Sequence, residues 1–305
     1  MAGPVVVLAG GTGGARLARG MLDVVGDDLV VIANTADDLE IYGAHVSPDP
    51  DLVLYWLADR IDERGWGLRG DTFHVMDGLR ALGVDVWFQL GDRDLAVGLR
   101  RRERLAQGAR LAETLAELGR ALGVRARVVP MSDDRVRTRV RFDGRWWSFQ
   151  EYMVRAEGGE PVEDLALEGV EAARPGPEAL EALASARAIV IGPSNPVISI
   201  GPILAVPGIR EALSAAPAAV VAVSPLVGGE VVKGPTGPFL AWAGLERSAD
   251  GIAAAYEGVV DGLVADERTD RVAVLETDVL MADAADRRRL AEETLRFAEA
   301  LRAHR

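Results

Sequence analysis

Cysteine is absent from the 305 residues, which excludes a disulfide framework, a thiolate metal site and a cysteine nucleophile. Lysine occurs once, at Lys233, so nearly all cationic work falls to arginine, whose planar, permanently charged head suits bidentate contacts to phosphate or carboxylate. Compositional drift in a GC-rich genome produces the same bias. Histidine is scarce: His45 and His74 show no metal-ligand spacing and His304 stands in the tail, so no histidine general base is expected. No long apolar run opens the chain. Met1-Ala2-Gly3-Pro4 leads into Val5-Val6-Val7-Leu8, too short for a signal or membrane segment and without a basic flank. A cytoplasmic protein with no membrane partner is the expectation. The formal net charge of -13 argues against a nucleic-acid partner, because phosphate backbones need a basic surface.

What is present is ample core material, 49% of the residues being hydrophobic. The length suits one large α/β domain with an inserted subdomain. Short β-branched runs at Val5–Ala9, Leu29–Ala33, Val86–Leu90, Ala188–Ile191, Ala219–Val223 and Val272–Leu275 alternate with helical patterns at Ala15–Val25, Leu52–Glu63, Leu105–Leu122, Pro177–Ser185 and Arg287–Arg302. That rhythm predicts an α/β fold, a mostly parallel Rossmann-like sheet with helices on both faces. Almost every strand ends in glycine, proline, serine or aspartate, and in open α/β sheets ligands gather at the carboxyl ends of strands. The middle breaks the rhythm. Arg135 to Phe142 alternates strictly, Asp143-Gly144 marks a tight turn, and Trp146-Trp147-Ser148-Phe149 resumes, a β-hairpin pattern. Residues 131–176 are therefore expected to form a smaller α+β insert, with 1–130 and 177–305 as the nucleotide-binding core.

Strand one runs into Gly10-Gly11-Thr12-Gly13-Gly14 and then a helix. Such a turn brings backbone N–H groups and a helix N-terminus against an anion, so phosphate contact is expected. No lysine follows, so the motif is not a Walker loop, and Arg16 stands where a dinucleotide fingerprint needs its third glycine. Strand two ends in Asn34 rather than a ribose-binding acid, which counts against an NAD(P)-dependent oxidoreductase. Asp37 and Asp38 follow it, then Asp49 and Asp51 in Ser47-Pro48-Asp49-Pro50-Asp51. Asp49 before Pro50 also reads as ordinary N-cap punctuation. Four carboxylates beside a phosphate loop are how magnesium is usually held, so Asp37, Asp38, Asp49 and Asp51 are the candidate metal ligands. Ser194 and Asn195, stiffened by flanking prolines, are candidates for contacting the base or sugar of a nucleotide.

These segments in order, with Leu90-Gly91-Asp92-Arg93-Asp94, Met131-Ser132-Asp133-Asp134 and the run from Gly192-Pro193-Ser194-Asn195-Pro196 to Gly201-Pro202, resemble the 2-phospho-L-lactate transferase family of coenzyme F-420 biosynthesis. The resemblance extends from Val5 to about Met281. It implies transfer of phospholactate or phosphoenolpyruvate from a guanosine-diphospho donor to the ribityl hydroxyl of a deazaflavin acceptor, with magnesium required and GMP leaving. It further implies nucleotide contacts at Gly10, Gly11, Thr12, Gly13, Gly14, Ser194 and Asn195. Deazaflavin contacts would fall to Asp51, Gln89, Asp92 and Ser132, although the family often carries lysine where Gln89 stands. Asp37, Asp49, Asp51 and Arg93 are the expected catalytic residues, with Arg16 as a second cation able to offset charge. The deazaflavin is expected between core and insert, where Trp146, Trp147, Phe149 and Tyr152 offer apolar walls or simply fill the insert's own core. A non-enzymatic nucleotide-sugar-binding regulator of similar opening sequence is the alternative, and a homodimer is the default assembly.

Overall fold

The computed structural model describes residues 3–232 and 234–303, so Lys233 and His304 lie outside the described residues. Seven strands form one fully parallel sheet: β1 (Val5–Ala9), β2 (Leu29–Ala33), β3 (Arg127–Pro130), β4 (Ala188–Ile191), β5 (Val220–Val223), β6 (Gly262–Ala265) and β7 (Ala273–Glu276). Their spatial order is β3-β2-β1-β4-β5-β6-β7. β1 pairs in parallel with β2 (Val5 opposite Leu29) and with β4 (Val5 opposite Ala188). The order therefore reverses between β1 and β4, where an open α/β sheet leaves a crevice for a ligand.

Side chains alternate across the pleat and divide the core in two. Val6, Leu8, Val30, Ile32, Ile189 and Ile191 face a layer built from helices Pro177–Ser185, Ile209–Ala215 and Ala249–Ala255. Val5, Val7, Leu29, Val31 and Val190 face helices Gly11–Val25, Pro48–Leu57, Leu111–Leu122 and Ala284–Arg302. The mostly parallel sheet covered on both faces is thus the observed architecture.

Several expected boundaries differ. Val86–Leu90 is not a strand; it runs irregularly, and Val86, Phe88 and Leu90 pack in a satellite core with Met76, Leu95 and the short hairpin Leu39–Ile41/Ala44–Val46. Its Phe88 N–H donates to the Tyr42 hydroxyl rather than to a neighbouring strand. The helix expected over Leu52–Glu63 begins at Pro48 and ends at Leu57, shortly before Asp59 enters the left-handed region at φ 54. The helix expected over Leu105–Leu122 is two, Asp92–Ala106 and Leu111–Leu122, parted by Gly108 at φ 89. Strands β3 and β6 are not expected from the sequence: β3 ends in Pro130 and β6 opens with Gly262, residues that weaken a β pattern.

Within 131–176 the expected hairpin forms, Arg137–Phe142 against Arg145–Ser148, with Asp143 and Gly144 both at positive φ as a primed turn requires. Asp164–Glu168 adds a third antiparallel strand. Tyr152 and Val140 bury against Ile198 and Phe239 of the α/β core, so Tyr152 serves as a packing residue. The insert is tied to the end of β2 by Thr138 N–H donating to Ala36 O at 2.7 Å.

Candidate active site

The glycine turn after β1 and the Pro-Ser-Asn turn after β4 stand on either side of the reversal. Helix Gly11–Val25 starts inside the glycine run, with Gly10 as its N-cap. Glycine is needed here for close approach: a Cβ on Gly13 would lie 1.9 Å from the Pro193 carbonyl oxygen. Gly10 N–H reaches Ser194 Oγ at 3.4 Å, joining the two turns. Between them opens a cavity of about 340 Å³ lined by Gly10, Gly11, Thr12, Gly13, Arg16, Asp37, Asp49, Ser194 and Asn195. Asn195 Oδ1 accepts from the Val197 and Ile198 amides, while its buried Nδ2 has no partner among the described residues. That leaves a free donor at the cavity wall. Gly14 completes the turn and packs on Ala9 behind it.

The four aspartates split into distinct environments. Asp49 Oδ1 accepts from Gly11 N–H at 2.7 Å, and its Oδ2 accepts from Asn34 Nδ2 at 3.0 Å. Asn34 Nδ2 also donates to Asp37 Oδ2 at 3.1 Å, so one amide holds two buried carboxyls together. Ser47, not Asp49, stands at the N-cap position of helix Pro48–Leu57, without a side-chain capping bond, and Pro48 rather than Pro50 is at its first position. Asp38 turns the other way and accepts from His45 Nε2 at 2.9 Å and Ser47 Oγ at 2.7 Å. Asp51 forms a buried ion pair with Arg101, which also donates to His45 O.

Burial pushes the Asp37 carboxyl well above the ordinary carboxylate range, and repulsion from Asp49 adds to it. The Thr138 hydroxyl stands near enough to ease Asp37 ionisation but outside hydrogen-bond geometry. Burial likewise raises Asp49 from 3.8 to about 6, against the pull of the Gly11 amide and Asn34. Two buried carboxyls sharing one neutral amide need either a proton or a cation between them. Asp37 Oδ1 is itself buried without a partner among the described residues. A magnesium ion fits this chemistry. Among the described residues no three acidic, histidine or cysteine side chains are grouped to hold a metal. An ion here would therefore use Asp37 and Asp49 and complete its oxygen shell from phosphates and water, as magnesium usually does.

A second cavity, about 250 Å³, lies beneath the insert and is lined by Asp37, Asp38, Trp87, Arg137, Thr138, Arg139, Phe149 and Gln150. Asp37 and Phe149 belong to both cavities.

Other residues singled out in the sequence lie outside both. Asp92 accepts from Thr72 Oγ1 and the His74 and Val75 amides, fixing the start of helix His74–Ala81. Gln89 accepts from Arg80 at the surface, and Arg93 is exposed with its amide on Asp71. Ser132 donates to Arg174 O inside a turn. Asp51, held by Arg101, joins neither cavity. Sequence reasoning missed Arg101, Thr138 and Trp87, and passed over Asn34 as merely not an acid. Asn34 sits at a strand end with aspartates at short spacing on either side of a turn, the one signal that pointed to it.

Comparison with known proteins bears on all of this. A fold of the same kind occurs in a UPF0052-family protein from Bacillus halodurans, with a TM-score of 0.59 at 21% identity over 88% of this chain and 83% of that one. A phosphoenolpyruvate transferase of Kitasatospora aureofaciens is 42% identical over 98% of each chain. A 2-phospho-L-lactate transferase of Methanopyrus kandleri is 42% identical over 97% of this chain and 98% of that one. The family described as 2-phospho-L-lactate transferase CofD matches residues 5–300. That span runs from the first strand into the last helix and contains both turns at the sheet reversal. The chain is thus a transferase belonging to the 2-phospho-L-lactate transferase CofD family.

Proposed function

We propose that this transferase moves a three-carbon phospho-acid, 2-phospholactate or phosphoenolpyruvate, from a guanosine-diphospho donor to the ribityl hydroxyl of a deazaflavin in coenzyme F-420 formation, releasing GMP. Family membership takes the place of the oxidoreductase and regulator alternatives. The observation that carries the reading is the placement of Asp37 and Phe149 in the walls of both cavities. A diphosphate over the glycine turn and a planar alcohol beneath the insert would meet at Asp37. The acceptor is assigned to Trp87 and Phe149 and not to Asp51 and Gln89, because the latter two face neither cavity.

In the transfer, the hydroxyl oxygen bonds to the phosphorus that carries the acid, and the bond from that phosphorus to the GMP oxygen breaks. The hydroxyl proton passes to Asp37, and GMP leaves with the electron pair. Positioning and charge neutralisation are the main demands of such a step. The glycine-turn amides and Arg16 offset charge on the diphosphate, and Asn195 Nδ2 is a free donor for the nucleoside. Magnesium, held by Asp49 with Asp37, would supply further positive charge beside the leaving phosphate.

The test is incubation with deazaflavin, magnesium and each guanosine-diphospho donor, with mass spectrometry of the product. GMP release and one phospho-acid ester of the deazaflavin are expected. Absence of GMP with both donors, in a protein that still binds GDP, would overturn the assignment.

A further inference from the structure

Behind the glycine turn lies a third cavity of about 440 Å³, walled by Thr12, Arg16, Trp56, Arg64, Arg69 and Arg287 among others. Its wall sets these four arginines against three acids, Asp59, Asp62 and Glu63. Arg16 and Arg287 both stack on the Trp56 ring, at 5.8 and 5.1 Å from its centroid. Neither they nor Arg69 forms an ion pair among the described residues, whereas Arg64 is paired with Asp62, and the nearby Asp59 with Arg19. Asp286, the carboxylate acting on Arg16, already accepts from the Ala282 amide. Arg16 Nε and Trp56 Nε1 are both buried without an acceptor among the described residues. Two unsatisfied buried donors and two mutually repelling guanidinium groups are costly to maintain unless an anion joins them.

We propose that this cavity is a second anion site, separate from the one at the sheet reversal, and that it takes a phosphoryl anion. Guanidinium groups and an indole N–H are donors only, so the ligand must accept at several oxygens, which phosphate and diphosphate do. Thr12 and Arg16 line this cavity as well as the donor cavity. An anion here competes for Arg16 and weakens GDP binding on the other side.

The probe is inorganic pyrophosphate, titrated calorimetrically into the full-length protein with EDTA present, with and without saturating GDP. One equivalent is expected to bind in the presence of GDP, and pyrophosphate should raise the GDP Kd several-fold. Arg69→Ala and Arg287→Gln should each weaken pyrophosphate at least tenfold and leave GDP affinity without pyrophosphate within twofold. Arg69 is exposed, so its replacement keeps the test valid if the Arg287 variant folds poorly. Pyrophosphate that binds both variants as it binds the parent, or that GDP displaces completely, overturns the site. The result does not depend on turnover, so it stands apart from the proposed reaction.

Discussion

Replacing Asp49 by asparagine separates a buried carboxyl that needs compensation from a capping residue. The Asp49 pKa rises from 3.8 to about 6 on folding, chiefly through burial. At about 1.4 kcal/mol for each pH unit, that corresponds to about 3 kcal/mol of linkage. The sign follows from the raised value. Below about pH 4 the group is protonated in both folded and unfolded chains, and its contribution is intact. Between about pH 4 and pH 6 the unfolded chain releases the proton more readily, so stability falls by that amount and then stays level. Asparagine is neutral throughout and removes the slope. It also sets an NH2 against either the Gly11 amide or Asn34 Nδ2, a pH-independent cost of about 1–3 kcal/mol.

The expected pattern is therefore Asp49→Asn less stable than the parent near pH 4 and about equal to it near pH 7, in urea denaturation with EDTA. Loss of the Asp49 charge should also lower the Asp37 pKa, since repulsion between the two contributes to its rise. Magnesium should stabilise the parent at pH 7 more than the variant, and turnover should fall by several powers of ten in the variant. A stability difference that stays flat from about pH 4 to pH 7 would refute the reasoning, because a solvated capping carboxylate has no such slope.

Arg101→Met leaves Asp51 charged and unpaired in the interior and should cost about 3–5 kcal/mol, most of it recovered in the Arg101→Met/Asp51→Leu double variant; equal losses in both, by urea denaturation, would contradict the ion-pair account. Gly13→Val drives a side chain into the Pro193 carbonyl and should lower the melting temperature sharply. Gly11→Ala meets only Ser199 Oγ, at 3.9 Å, but has a φ of +65, so it should cost only about 1 kcal/mol, and a reversed ranking would sink the close-approach argument. Tyr256→Phe removes a buried hydroxyl with no partner among the described residues and should leave stability unchanged or raise it by up to about 1 kcal/mol; a clear loss would reveal a partner for that hydroxyl.

The sheet was legible in the sequence because β1, β2, β4 and β5 are continuous β-branched runs buried on both faces, a pattern that few other contexts produce. Val86-Trp87-Phe88-Gln89-Leu90 is a short run of strand-favouring residues with one β-branched member, and it failed as a strand because such a run carries no information on whether a sheet edge is available; here a satellite hydrophobic core takes Val86, Phe88 and Leu90 instead. The glycine turn and Ser194-Asn195 came together as expected, since both follow strands that flank the reversal. Arg16, Trp56 and Arg287 were not legible as a group. Their meeting depends on helix Ala284–Arg302 packing against Gly11–Val25 over a gap of more than 200 residues, which no local pattern encodes.

The aspartates show where more could have been read. A helix turns about 100° per residue, so Asp49 and Asp51, two apart in the first turn of Pro48–Leu57, point about 200° away from each other. They cannot both face one small ion without breaking the helix. Once proline at the first helical position marks Pro48 as the start, geometry alone divides the pair. The glycine turn then selects Asp49, whose Oδ1 takes the Gly11 amide. Asp51 is left toward the sequence-distant helix that brings Arg101. The division has a chemical consequence. A buried carboxylate that already owns a guanidinium has little to gain from a cation, whereas Asp37 and Asp49 share only a neutral amide. Unequal compensation, rather than the number of aspartates, is what distinguishes Asp37 and Asp49, which share a neutral amide, from Asp51, which is braced by Arg101.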